Sequence, residues 1–150
     1  MVEFHFSGPE ESPGYLLWQV TMLWQRKMKR ALDLLGITHT QFVLLAALGW
    51  LSKDGAVVTQ VELANHSKTD RMMVSKVLRT LESKGLINRS AHETDTRAKS
   101  IGLTSRGVEM LRVAIKVVEQ SDIEFFGSLE QDLPHFLQKM ADLMKGNADH

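Results

Sequence analysis

Residues 59–85, TQVELANHSKTDRMMVSKVLRTLESKG, read as a short helix, a tight turn and a longer helix. Thr59 followed three residues later by Glu62 is a capping-box signature for a helix over about 59–65. The second helix starts near Thr69 or Asp70 and stops at Gly85, a residue type favoured just past a helix end. This is the layout of a helix-turn-helix. At about 100° per residue, Val74, Val77, Leu78 and Leu81 share one side of the second helix and require burial. Met72, Lys76, Arg79 and Ser83, flanked by Ser75 and Thr80, fall on the other side. A helix presenting cations and small hydrogen-bonding groups suits the major groove of duplex DNA, which is ~12 Å wide and admits one helix. On that reading Ser75 and Lys76 reach base edges, Met72 meets a thymine methyl, and Lys68, Thr69, Arg71 and Arg79 hold phosphates.

A solvated helix carries the same residue types, so the segment that follows decides. LINRSAHETDTRAKSIGLT reads as two short strands, 86–89 and 100–103, joined by a polar loop. A β-hairpin after a helix-turn-helix is a wing. In its loop Asp95 stands two residues before Arg97, close enough to brace the arginine or the loop backbone, with Lys99 beyond. A braced guanidinium loses less entropy on binding and fits a narrow, electronegative minor groove.

Charge is distributed to match. The chain of 150 residues has a formal net charge of zero, with 18 basic and 18 acidic residues. Residues 66–106 nevertheless hold nine Lys and Arg against four Asp and Glu, a net of +5, while residues 1–65 carry −1 and 107–150 carry −4. One basic module sits in an acidic frame, the pattern expected when a single surface meets phosphate. The absence of cysteine excludes disulfides and thiol redox sensing. The six histidines are scattered without metal-ligand spacing, and the sequence calls for no cofactor. Nucleophile elbows, phosphate-binding glycine loops and zinc-protease motifs are missing, which disfavours an enzyme. The longest apolar stretch, 42–51, is half of the ~20 residues a bilayer requires, and the first residues do not resemble a secretory signal. The cytoplasm is the expected compartment, with no membrane partner.

Long helices flank this core. One is expected over about 15–35, ending before Gly36, with apolar stripes through Leu16, Val20, Leu23 and Leu34 and through Leu17, Trp24, Met28 and Leu35. A second runs from Thr38 to about Leu51, opened by a Thr38/Gln41 capping box, and a short strand is expected over 56–58. Thr104 caps a helix reaching Phe126, and a Ser128/Gln131 capping box opens a last helix over about 128–145, unless Pro134 forces a later start. The fold class is mainly α with a small β-hairpin wing. A single domain over 1–150 is expected, with a winged helix-turn-helix core over about 37–104 between dimerisation helices at about 12–36 and 105–146. Apolar residues on more than one side of the terminal helices would leave a large exposed patch on a monomer, so a homodimer is expected. Two-fold symmetry then matches a pseudo-palindrome with half-sites ~10–10.5 base pairs apart.

Three motifs carry a family resemblance: Leu81-Glu82-Ser83-Lys84-Gly85-Leu86, Asp95-Thr96-Arg97 and Leu103-Thr104-Ser105-Arg106-Gly107. With the upstream Gly36-Ile37-Thr38-His39-Thr40-Gln41-Phe42, they resemble the MarR (multiple antibiotic resistance regulator) family of winged helix-turn-helix transcriptional regulators. The resemblance implies a homodimer built from the terminal helices, a recognition helix in the major groove, Arg97 in the minor groove and a repressor's role. Where the family often has a second arginine after the first, this sequence has Ala98. The resemblance also implies release by a small aromatic or anionic effector in a crevice lined by Trp24, Arg26, Met28, His39 and Phe42. The competing reading is a winged-helix protein-interaction module that does not bind DNA.

Overall fold

The computed structural model describes residues 1–91 and 99–148. In chain order the elements are α1 (Pro13–Asp33), α2 (His39–Leu51), β1 (Val58–Thr59), α3 (Gln60–Ser67), α4 (Arg71–Ser83), β2 (Ile87–Ala91), β3 (Lys99–Leu103), α5 (Ser105–Phe126) and α6 (Leu133–Gly146). The chain divides into two compact units, one of residues 28–118 and one of residues 1–27 with 119–150.

The 28–118 unit holds the helix-turn-helix. Both of its expected capping boxes form. Thr38 Oγ1 accepts from the Gln41 amide while Gln41 Oε1 accepts from the Thr38 amide, and Thr59 and Glu62 do the same at α3. The core is aliphatic, with Met28, Leu32, Leu45, Leu63, Val74, Leu78 and Leu81 fully enclosed. A three-stranded antiparallel sheet, ordered β1-β3-β2, closes one side. Its register pairs Ile87 with Leu103, Arg89 with Ile101 and Val58 with Ile101, so that Val58, Ile87 and Ile101 bury their side chains together. The expected strand over 56–58 is displaced. Only Val58 and Thr59 pair with β3, because burial of Val58 against Ile101 sets the register, and Val57 is left exposed. The hairpin strands are likewise longer than expected, 87–91 and 99–103.

Helix ends explain two further departures. α1 stops at Asp33, because Gly36 takes a left-handed backbone (φ 75°) that lets its amide reach Asp33 O and the Ile37 amide reach Leu32 O. Leu34 therefore leaves the helix and is exposed instead of joining the apolar stripe. In the other unit, the expected Ser128 cap does not form, and residues 127–132 make 3₁₀ turns before α6. The cause is Pro134, in the first turn of α6. A proline ring collides with the carbonyl four residues back, which is that of Glu130, and Glu130 is the residue whose backbone turns non-helical (φ 50°, ψ −122°).

Within the terminal unit, Trp24 Nε1 donates to Asp122 Oδ1 at 2.9 Å and Lys27 pairs with Glu124 at 2.7 Å, joining the first part of α1 to the end of α5. That lysine and the Gln120 amide hold the Glu124 carboxyl below its ordinary pKa. No residue of α6 is buried.

Candidate nucleic-acid interface

The site is built on the two ends of α4. At its start, Asp70 Oδ1 accepts from the amides of Met72 and Met73, satisfying donors that a helix leaves open. Val74, Leu78 and Leu81 then anchor the helix in the core. Anchoring turns Arg71, Met72, Lys76 and Arg79 outward, all exposed, with Met72 at 81%. Among the described residues no carboxylate pairs with Lys68, Arg71, Lys76 or Arg79. Ser75 is half-buried at the flank of this face, as is Val77 on the other side.

The turn between α3 and α4 has an unusual feature. Lys68 is exposed and left-handed (φ 57°, ψ 33°), one of only two non-glycine residues with positive φ among those described. Hydrogen bonds enforce the conformation: the Lys68 amide reaches Asn65 O, the Thr69 amide reaches Ala64 O at 3.1 Å, and Thr69 Oγ1 donates to Ser67 O. This is a glycine-type helix ending with lysine in the glycine position. Sequence inspection missed it because nothing in NHSKTD marks a left-handed residue.

The basic count of the sequence needs dividing. Lys84 Nζ donates to Gly36 O at 2.7 Å and Gln41 Oε1 at 3.0 Å, and Arg89 Nη2 pairs with Glu82 Oε1 at 3.1 Å. These two cations are engaged inside the unit, whereas Lys68, Arg71, Lys76 and Arg79 face outward. Lys99 is exposed on β3, opposite Ala91. Asp95 and Arg97 lie outside the described residues.

Comparison with known proteins matches this geometry. The description "ArnR1-like, winged-helix domain" fits residues 33–120, more than half of the chain. An uncharacterized HTH-type transcriptional regulator of Bacillus subtilis (strain 168), YdcH, is 44% identical over 146 residues, spanning 96% of this chain and 99% of that protein. Among solved structures, the Staphylococcus aureus MepR–DNA complex aligns with a TM-score of 0.80 at 27% identity, covering 93% of this chain and 98% of MepR. A point mutant of Escherichia coli MarR complexed with operator DNA aligns with a TM-score of 0.75 at 25% identity, covering 86% of this chain and 90% of that one. The chain belongs to the MarR family. It is a transcriptional regulator, not an enzyme.

The MarR-family signature residues have a shared structural task. Thr104 Oγ1 donates to Gly85 O at 2.6 Å and accepts from the Gly107 amide at 3.0 Å, while the Thr104 amide donates to Leu86 O. A Cβ on Gly107 would collide with the Leu86 carbonyl. The Leu-Glu-x-x-Gly-Leu and Leu-Thr-x-x-Gly motifs thus interlock where α4, β3 and α5 meet.

The residues proposed for an effector are divided between the two units. Trp24, half-buried, and Arg26, exposed, belong to the terminal unit. Met28 at 0% exposure is part of the winged-helix core, in which the rings of His39 and Phe42, both half-buried, lie tilted at 39° with centroids 6.3 Å apart. No helix among the described residues is long and apolar enough to cross a membrane.

Proposed function

We propose that this regulator binds duplex DNA as a two-fold homodimer and represses transcription in the cytoplasm. The observation that carries the reading is the outward face of the turn and α4: Lys68, Arg71, Lys76 and Arg79 exposed around Met72, on a helix whose opposite face is locked into the core. In the major groove, Ser75 and Lys76 would read base edges and Met72 a thymine methyl, with Lys68, Thr69, Arg71 and Arg79 on phosphates. Asp95, Arg97 and Lys99 of the wing would serve the minor groove. MepR and the MarR mutant, both solved with DNA, support the reading.

Dimerisation is supported by apolar surface on the terminal unit. Leu17, Trp18 and Leu23 of α1, Ile123 of α5, and Leu143 and Met144 of α6 are all more than half exposed. Apolar surface on this scale is normally covered, and two-fold symmetry covers it with the same surface of a second copy. Response to a small aromatic or anionic effector completes the proposal. Thermal-shift screening with phenolic and salicylate-like compounds tests it, stabilisation together with weakened duplex binding being the expected result.

The deciding experiment is footprinting on the DNA upstream of the protein's own gene, followed by titration of the protected duplex at several salt concentrations. A protected pseudo-palindrome and a log–log salt slope of about −0.9 per phosphate contact are expected. A protein-interaction module would give neither.

A further inference from the structure

We infer that Lys84 is a positioning residue that indexes the recognition helix to the junction of α1 and α2, and not a phosphate contact. The inference rests on the DNA-binding reading and concerns a residue counted in the basic segment 66–106 but given no role there.

Three helix ends converge on this one ammonium group. Lys84 closes α4, Gly36 follows the end of α1, and Gln41 lies in the first turn of α2. The ammonium donates to Gly36 O (2.7 Å) and to Gln41 Oε1 (3.0 Å). Gln41 is 8% exposed, and its Oε1 also accepts from the Thr38 amide at 3.1 Å, so the cap of α2 and the end of α4 share one acceptor. The ammonium thus rests on one backbone carbonyl just past the end of α1 and one side-chain carbonyl in the first turn of α2, and charge-assisted hydrogen bonds of this length are the stronger kind. On the other side of the same helix end, Glu82 holds Arg89 of β2, an arginine whose side chain is 19% exposed.

The C-terminal end of α4 is thereby held between the α1–α2 junction and the hairpin, while Lys68, Arg71 and Lys76 lie on the preceding turn and the first half of the helix. A rigid helix held at one end transfers any displacement of that end to the other. Displacing the α1–α2 junction therefore displaces Met72, Ser75 and Lys76, whose hydrogen bonds and contacts to base edges depend on close registration. Two of the ammonium's three donors are already committed to Gly36 O and Gln41 Oε1.

The test compares wild type, Lys84→Met and Lys84→Arg in the full-length protein, by fluorescence anisotropy with the footprinted duplex at several salt concentrations. Lys84→Met should weaken binding about tenfold, within the usual range of coupling between sites, and leave the log–log salt slope unchanged. Lys84→Arg, retaining donors to both acceptors, should recover most of the loss. A slope reduced by about 0.9 per protomer would make Lys84 a phosphate contact and overturn the inference. So would unchanged affinity. Amide hydrogen exchange supplies a readout without DNA: Lys84→Met should lower protection of residues 36–42 and 81–86 together, with the rest of the unit unaffected. Uniform loss across the unit, or no loss, would mean a merely structural role or none. If wild type shows no salt-dependent duplex binding while exchange still couples the two segments, the DNA reading fails and the clamp stands.

Discussion

Lys68 offers a test in which stability and binding move in opposite directions. A left-handed backbone costs a residue with a Cβ about 1–2 kcal/mol, and glycine escapes that cost while losing about 0.5–1 kcal/mol through the freedom it gains in the unfolded chain. Lys68 holds φ 57° in the turn before α4. Lys68→Gly should therefore stabilise the fold by about 0.5–1 kcal/mol, a rise of about 2 °C in melting temperature for a chain of this size. The same substitution removes an exposed cation facing the proposed DNA. Each lost phosphate contact should lower the salt slope by about 0.9 per protomer and weaken binding roughly eightfold near ~0.1 M salt. Lys68→Ala is the control, because it removes the charge and keeps the strained backbone. Both variants should lose affinity and slope equally, and only glycine should raise the melting temperature. Differential scanning calorimetry and anisotropy titrations read the two effects. Equal melting temperatures for the two variants would refute the strain argument, and an unchanged slope would refute the phosphate contact. If both hold, the lysine persists in a glycine position because its charge is used.

Further expectations follow from the same geometry. Lys76→Ala should change the preference among duplexes differing at one base pair, at a cost of about 1–3 kcal/mol for the preferred base, whereas Arg79→Ala should weaken all duplexes alike, which a selection over randomised half-sites distinguishes. Gly107→Ala should destabilise by about 1–3 kcal/mol, although such a change within a helix ordinarily stabilises, because the added Cβ meets the Leu86 carbonyl; thermal melting reads the sign. The Glu124 carboxyl is held below its ordinary value of 4.5 by Lys27 and Gln120. Its lowered folded-state pKa means that its stabilising contribution is present above that value and lost as pH falls through the folded value. The stability difference between wild type and Glu124→Gln should accordingly shrink below pH 4.5, as followed by denaturant titrations from about pH 6 downward.

The parts of the fold that were legible in the sequence are those set by local chemistry. Thr38/Gln41 and Thr59/Glu62 opened helices because both halves of each capping box lie within four residues. The inward stripe of α4 followed from helical period, with Val74, Leu78 and Leu81 fully buried and Val77, expected with them, only half-buried at the edge of the stripe. Ser128/Gln131 carried the same signature and failed, because a competing local rule, the clash between Pro134 and the Glu130 carbonyl, outweighed one capping hydrogen bond. Non-local geometry was not legible. The partners of Lys84 lie 43 and 48 residues away, and no pattern near Lys84 distinguishes a solvated cation from one that grips a carbonyl.

That distinction bears on what a family signature can report. Gly85, Leu86, Thr104 and Gly107 identify the chain as MarR-like, yet their atoms face one another: a threonine hydroxyl on one glycine carbonyl, and a second glycine against a backbone oxygen. They specify how a recognition helix is mounted. Met72, Ser75 and Lys76, which would choose the operator, lie in the first half of α4, outside those motifs. Their side chains point away from the innermost core, so the fold places few demands on them and their identity is open to selection by DNA. Membership therefore follows from the mount, and on the proposed DNA-binding reading specificity would follow from the exposed turn. Lys84 stands between the two, part of the signature segment by position and, through Gly36 and Gln41, the contact that sets the angle at which the exposed turn is presented.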